Sequence, residues 1–130
     1  MSRYLLDTNV VLWLHTHPAR VQPAVLDLLS DERNELLVSV VTPWEIVIKH
    51  GRGRLALPHD PAVEVPRILR AVGATTVPIE LAHVLRIGAL PHHHGDPFDR
   101  LLVAQAQALE VPVVTGDRKL ERYDIEVIAA

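Results

Sequence analysis

Cysteine is absent from this 130-residue chain. That excludes a disulfide framework, a thiolate metal site and a cysteine nucleophile, and it suits a reducing compartment. Aromatic residues supply only 4% of the sequence, so aliphatic Leu, Val, Ile and Ala must fill any core. Long apolar runs are missing too: the longest, around Val10–Leu14 and Leu36–Val41, fall far short of a bilayer span. No charged segment followed by an apolar stretch precedes Asp7; no secretory signal is expected, and the protein is expected to be soluble and cytoplasmic, with no membrane partner. Low-complexity segments, internal repeats and Gly/Ser linkers are lacking as well, which at this length predicts one domain over residues 1–130.

What the chain does have is enough apolar material for a core, at 48% hydrophobic and 22% charged. Its net charge of −3 argues mildly against a broad nucleic-acid-binding surface, which is usually basic. Carboxylates neutralised by bound metal would cancel that argument.

Apolar runs and breakers alternate along the chain. Arg3–Asp7 reads as a strand running into a turn at Asp-Thr-Asn, and Val10–His15 and Pro23–Asp31 as helices. Leu36–Val41 is a Val-rich strand closed by Thr-Pro, followed by a helix from Pro43 to His50 that stops at Gly51. Helices are expected over Asp60–Val72, Glu80–Ile87 and Pro97 to about Glu110, with Gly73 as a stop and Pro91–Gly95 as a loop. Strands are expected at Thr75–Ile79, Val111–Thr115 and Ile125–Ile128, with a helical turn at Arg118–Tyr123. Strands separated by helices predict a three-layer α/β/α architecture around a mostly parallel sheet of about five strands. Such sheets bind ligands beyond the carboxyl ends of their strands, where the strand order reverses.

Four acids fall at strand exits or helix starts. Asp7 closes the first strand and Asp117 follows Val111–Thr115 by two residues. Thr42-Pro43-Trp44-Glu45 and Asp96-Pro97-Phe98-Asp99 both read as N-cap, Pro at N1, bulky residue at N2 and acid at N3. Taken singly, each acid has a structural explanation: Glu45 and Asp99 as capping-box acids, Asp7 as a turn former, Asp117 as a cap for the turn after it. Asp99 also raises a geometric problem. Its helix leads into a strand and is expected to begin at the amino edge, reaching the mouth only if the long Ile87–Gly95 connection delivers it there.

If the four converge, their mutual repulsion favours a bound divalent cation, and oxygen-only donors suit Mg²⁺ or Mn²⁺ over zinc. Such an ion keeps waters, one of which can serve as nucleophile at phosphorus.

The stretches Leu5-Leu6-Asp7-Thr8-Asn9-Val10, Val41-Thr42-Pro43-Trp44-Glu45-Ile46, Asp96-Pro97-Phe98-Asp99-Arg100-Leu101-Leu102 and Val114-Thr115-Gly116-Asp117 together resemble the PIN-domain nucleases, and among them the VapC toxins of toxin–antitoxin pairs. They span essentially the whole chain. The resemblance implies the three-layer fold, with Asp99 at the same mouth as the other acids. It implies that Asp7, Glu45, Asp99 and Asp117 bind Mg²⁺ or Mn²⁺ and catalyse endonucleolytic RNA hydrolysis, with Thr8 and Thr115 in support and Asn9 as support at most. It further implies a VapB-like antitoxin partner and a homodimer.

Several other residues have two readings. Asp96 is better explained as a helix cap, with a water-mediated metal contact or the place of Asp99 in the site as the alternatives. His92-His93-His94 lacks the spaced partners of a zinc set and reads as a solvated loop, although His94 stands close enough to Asp96 to touch substrate. Lys49, Arg52 and Arg54, together with Arg100, Arg118 and Lys119 beside two of the acids, are expected surface residues that as a group could contact the RNA backbone. Trp13 and Trp44 are expected to pack in the core; exposure would point to a partner surface. Two competing functions remain open from the residues. One is a phosphate-handling hydrolase of another type, such as an aspartyl phosphatase using Asp7, although Asn9 stands where its second Asp would be. The other is a catalytically silent binding module.

Overall fold

The computed structural model describes residues 2–130. Its first strand, β1 (Arg3–Leu6), ends because the Asp7 carboxylate accepts the Thr8 N–H and starts helix α1 (Thr8–Thr16). A short 3₁₀ turn and helix α2 (Pro23–Ser30) lead to β2 (Glu35–Ser39). Helix α3 (Val41–Gly51) follows at once, and α4 (Pro61–Val72) is framed by three local signals. Asp60 caps it, Pro61 opens it, and Gly73 closes it at φ 74°, a left-handed conformation that glycine adopts without steric cost. Next come β3 (Ala74–Val77), α5 (Leu81–Ile87), α6 (Pro97–Leu109), β4 (Val113–Thr115), a 3₁₀ turn at Arg118–Arg122, and β5 (Val127–Ala129).

All strand pairs are parallel, in the order β3-β2-β1-β4-β5. The order therefore reverses between β1 and β4, which pair through Leu5 with Val113 and Leu6 with Val114. Alternate side chains divide the core in two. Tyr4, Leu6, Leu36, Val38 and Val114 face α1, α2 and α4, while Leu5, Leu37 and Val113 face α6 with Leu102, Val103 and Ala106. A period of two on strands buried from both sides gives this split, and each fully buried Leu or Val stabilises it by about 1.5–3 kcal/mol. The expected three-layer α/β/α arrangement and five-strand parallel sheet are therefore what is observed. No helix among the described residues is long and apolar enough to cross a membrane.

Two expectations need correction. Helix α3 begins at Val41, with Val40 rather than Thr42 as the residue before it, and the Ser39 hydroxyl accepts the Val41 N–H. Glu45 therefore lies inside the helix and is no capping-box acid. The expected edge for Asp99 was also wrong as a general rule. A helix that returns the chain to the start of a parallel strand runs antiparallel to it, and so begins at the carboxyl edge. Helix α6 does so: its last residue, Leu109, meets the Arg3 guanidinium at the amino end of β1 (3.4 Å).

A candidate acidic metal site at the β1/β4 switch point

Asp7, Glu45, Asp96, Asp99 and Asp117 line one cleft of about 300 Å³ over the carboxyl ends of β1 and β4. Lys49 and Arg54 line it as well, as do Thr8 and Asn9. The main chain of four separate elements brings the acids there: the exit of β1, the first half of α3, the start of α6 and the exit of β4.

Asp7 is buried, and both its oxygens are engaged. Oδ1 accepts the Thr8 N–H (2.8 Å) and Oδ2 accepts the Thr115 hydroxyl (2.7 Å). Thr115 Oγ1 in turn accepts the Asp117 N–H (2.9 Å), tying the end of β4 to the end of β1. Glu45, also buried, accepts the Thr8 hydroxyl at Oε1 (2.6 Å) and the Lys49 ammonium at Oε2 (2.7 Å). Thr8 and Thr42 hydroxyls meet at 3.1 Å. Asp117 accepts the Lys119 N–H, and Asp96 accepts those of Phe98 and Asp99, so the helix-cap reading of both residues holds while both also face the cleft.

Asp99 differs from the other three. Among the described residues no donor lies within hydrogen-bonding distance of its carboxylate, and the nearest partner is His94 Nε2 at 3.8 Å. Burial, and then the charges of Asp7, Asp96, Glu45 and Asp117, push its carboxyl up to about 7. Burial also raises the Asp7 carboxyl, offset in part by Thr115 and Thr8 and reinforced by Glu45 and Asp117. Lys49 is held protonated by its bond to Glu45.

The site thus concentrates negative charge that Lys49 and Arg54 only partly offset. Among the described residues no three His, Asp or Glu side chains form a closed metal-binding set. An all-oxygen donor set in an open cleft fits an ion held by one or two carboxylates and several waters, which is the preference of Mg²⁺. It does not fit zinc, and the His92–His94 triplet belongs to no such set. Nor does it favour phosphoryl transfer to Asp7, whose oxygens are both engaged; Asn9 Oδ1 is occupied with the Gly116 N–H (3.2 Å).

The basic residues separate. Lys49 and Arg54 face the cleft, while Arg52, Arg118 and Lys119 are exposed. Arg100 is not a surface residue at all. It is buried, and its guanidinium donates to the carbonyls of Pro91 (2.8 Å), Ile87 (3.3 Å), His94 (3.4 Å) and Leu90 (3.5 Å) and to the Tyr123 hydroxyl (3.4 Å). Five acceptors replace the water such a cation would lose, so Arg100 staples residues 87–94 beneath the cleft and is withdrawn from any RNA contact. Trp13 is half-buried against the core. Trp44 instead stays 48% exposed, edge-on to Phe98 at 4.8 Å, against the expectation of core packing. Sequence reasoning took Thr42 for a helix cap and missed its contact with Thr8 and the buried Ser39–Gln105 hydrogen bond, because contacts across 34 and 66 residues leave no local pattern.

Comparison with known proteins agrees with this fold. A PIN domain family model matches residues 4–126. Ribonuclease VapC22 of Mycobacterium tuberculosis (strain ATCC 25618 / H37Rv) is 31% identical over 127 residues, covering 95% of this chain and 93% of that protein. Ribonuclease VapC16 of the same organism is 33% identical over 72 residues, and that match covers about half of each chain, 53% of this one and 51% of the relative. Among solved structures, VapBC2 from Rickettsia felis bound to a promoter DNA fragment superposes with a TM-score of 0.74 at 16% identity, over 98% of both chains. VapBC-5 from Mycobacterium tuberculosis does so with a TM-score of 0.64 at 19% identity, over 100% of both. With the acids of all four motifs gathered on one cleft and the family profile spanning nearly every residue, this chain belongs to the PIN-domain family.

Proposed function

We propose that the chain is a Mg²⁺- or Mn²⁺-dependent endoribonuclease, a VapC-like toxin acting as a single PIN-like unit in the cytoplasm and neutralised by a VapB-like antitoxin. The observation that carries this reading is the meeting of Asp7, Glu45, Asp99 and Asp117 with Lys49 and Arg54 on one cleft where the strand order reverses. The ribonuclease names of its relatives support the reaction, and the VapBC complexes among the similar structures support the partner.

In this reading one or two of the four acids would hold the ion directly and the others through its waters. When bound, it supplies a water of lowered pKa and neutralises charge on a phosphoryl oxygen. The chain's own residues do the rest. Thr115 and the Thr8 N–H fix Asp7, and the Thr8 hydroxyl fixes Glu45. Asp96 sets the first turn of α6 so that Asp99 faces the cleft. Lys49 and Arg54 meet phosphates inside the cleft, with Arg52 and Arg118 outside it. Exposed apolar side chains on α3 (Trp44, Val47) and α5 (Leu81, Val84, Leu85) support an antitoxin or second-copy interface.

The test is cleavage of a single-stranded RNA pool with Mg²⁺ or Mn²⁺. Discrete fragments are expected, chelator should abolish them, and Asp7→Asn should lower the rate about 100-fold or more. Cleavage at the wild-type rate in chelator or in the variant contradicts the reading.

A further inference from the structure

Both ring nitrogens of His94 are buried without a hydrogen-bond partner, and among the described residues they are the only buried side-chain nitrogen or oxygen atoms in that state. Proteins rarely leave such groups unpaired, because the lost hydration is not replaced. The ring lies edge-on to Tyr123, with centroids 5.5 Å apart, and the His94 carbonyl is gripped by the buried Arg100 guanidinium, which also bonds the Tyr123 hydroxyl.

The group it faces is equally incomplete. Asp99 is the one acid of the four whose carboxylate accepts no hydrogen bond, and its Oδ2 stands 3.8 Å from His94 Nε2, just beyond bonding distance. Asp7, Glu45 and Asp117 each have donors supplied by Thr8, Thr115, Lys49 or the Lys119 N–H. An unpaired imidazole and an unpaired carboxylate therefore face each other across 3.8 Å.

We infer that His94 is a positioning residue. Its Nε2–H takes Asp99 Oδ2 when the site is loaded, fixing the carboxylate so that the other oxygen faces the cation. Arg100 and Tyr123 hold the imidazole for this role. Carboxylates that ligate metals are commonly oriented by such a second hydrogen bond, and its loss typically lowers metal affinity by about 10- to 100-fold. The inference rests on the metal-site reading above, but not on RNA being the substrate.

The experiment is a double-mutant cycle on Mn²⁺ affinity, measured by calorimetry without RNA, alongside thermal denaturation of every variant and RNA cleavage by the wild type. His94→Phe keeps the ring against Tyr123 and removes the donor; it should weaken Mn²⁺ binding about 10-fold or more. In an Asp99→Asn background the same change should alter affinity less than about twofold, since the carboxylate it orients is gone. His94→Gln, which restores a side-chain N–H, should recover part of the loss. A purely structural role would lower the melting temperature equally in both backgrounds and leave the affinity cycle uncoupled. Equal affinity losses in both backgrounds, no loss at all, or no Mn²⁺ binding by the wild type overturn the inference. Coupled affinities in a protein that cuts no RNA would instead uphold His94 and defeat the ribonuclease reading; cleavage with uncoupled affinities does the reverse.

Discussion

Replacing Asp99 with Asn should stabilise the metal-free protein while destroying its function. The folded state raises this carboxyl from its usual 3.8 to about 7, through burial first and then the surrounding acids. A tenfold change in proton affinity corresponds to about 1.4 kcal/mol, so keeping Asp99 ionised costs at most about 4 kcal/mol. Its side chain retains 15% exposure at the edge of an open cleft; discounting for solvent screening leaves about 2 kcal/mol. Between pH 3.8 and about 7 the folded protein binds the proton more tightly than the unfolded chain, so wild-type stability falls as pH rises through that window. The penalty is complete above about pH 7 and absent below 3.8. Asn carries no such charge. Thermal denaturation in chelator should therefore show Asp99→Asn melting about 6 °C above wild type at pH 8, with the gap closing toward pH 4. A gap of the same size at both pH values, or a variant less stable at pH 8, would refute the electrostatic account of this site.

Arg100→Lys should cost about 2–4 kcal/mol in urea denaturation, because an ammonium cannot reach the carbonyls that the guanidinium fork spans. The salt dependence of RNA binding should not change; a shallower slope would return Arg100 to the RNA surface. Gly116→Ala should destabilise by about 1–3 kcal/mol, because its new Cβ would overlap Cη2 and Cζ3 of Trp13. An unchanged melting temperature would show that the indole can move aside. Lys49→Gln removes the ammonium from Glu45 Oε2. Calorimetry should then find Mn²⁺ binding about 3- to 10-fold tighter, with RNA bound more weakly; tighter binding of both would contradict its place as counter-ion and phosphate contact.

Much of the frame was written locally. The strands followed from short apolar runs, and α4 and α6 from Asp-Pro starts. Boundaries moved where one side chain decided them. Helix α1 starts at Thr8 because Asp7 caps it, and β3 stops at Val77 because Pro78 has no N–H to donate. Asp7 and Asp117 were legible from strand exits. Glu45 was legible as a rim acid for the wrong reason, since its partners Thr8 and Lys49 rather than a cap hold it. Arg100 was misread, although one signal was present. It shares a helix face with Val103 and Ala104, three and four residues on, both buried. The facing vacancies of His94 and Asp99 had no signal at all, because they arise only when Arg100 folds the loop of residues 87–94 back onto α6.

The central claim is that acids from separate elements act as one metal-dependent, RNA-cleaving site. Single-turnover RNA cleavage in Mn²⁺ by Asp7→Asn, Asp117→Asn and the double variant tests it most directly. Groups that serve one ion act as a unit, so the double variant should be about as slow as the slower single one. Losses that multiply, or near wild-type cleavage by either single variant, would contradict it.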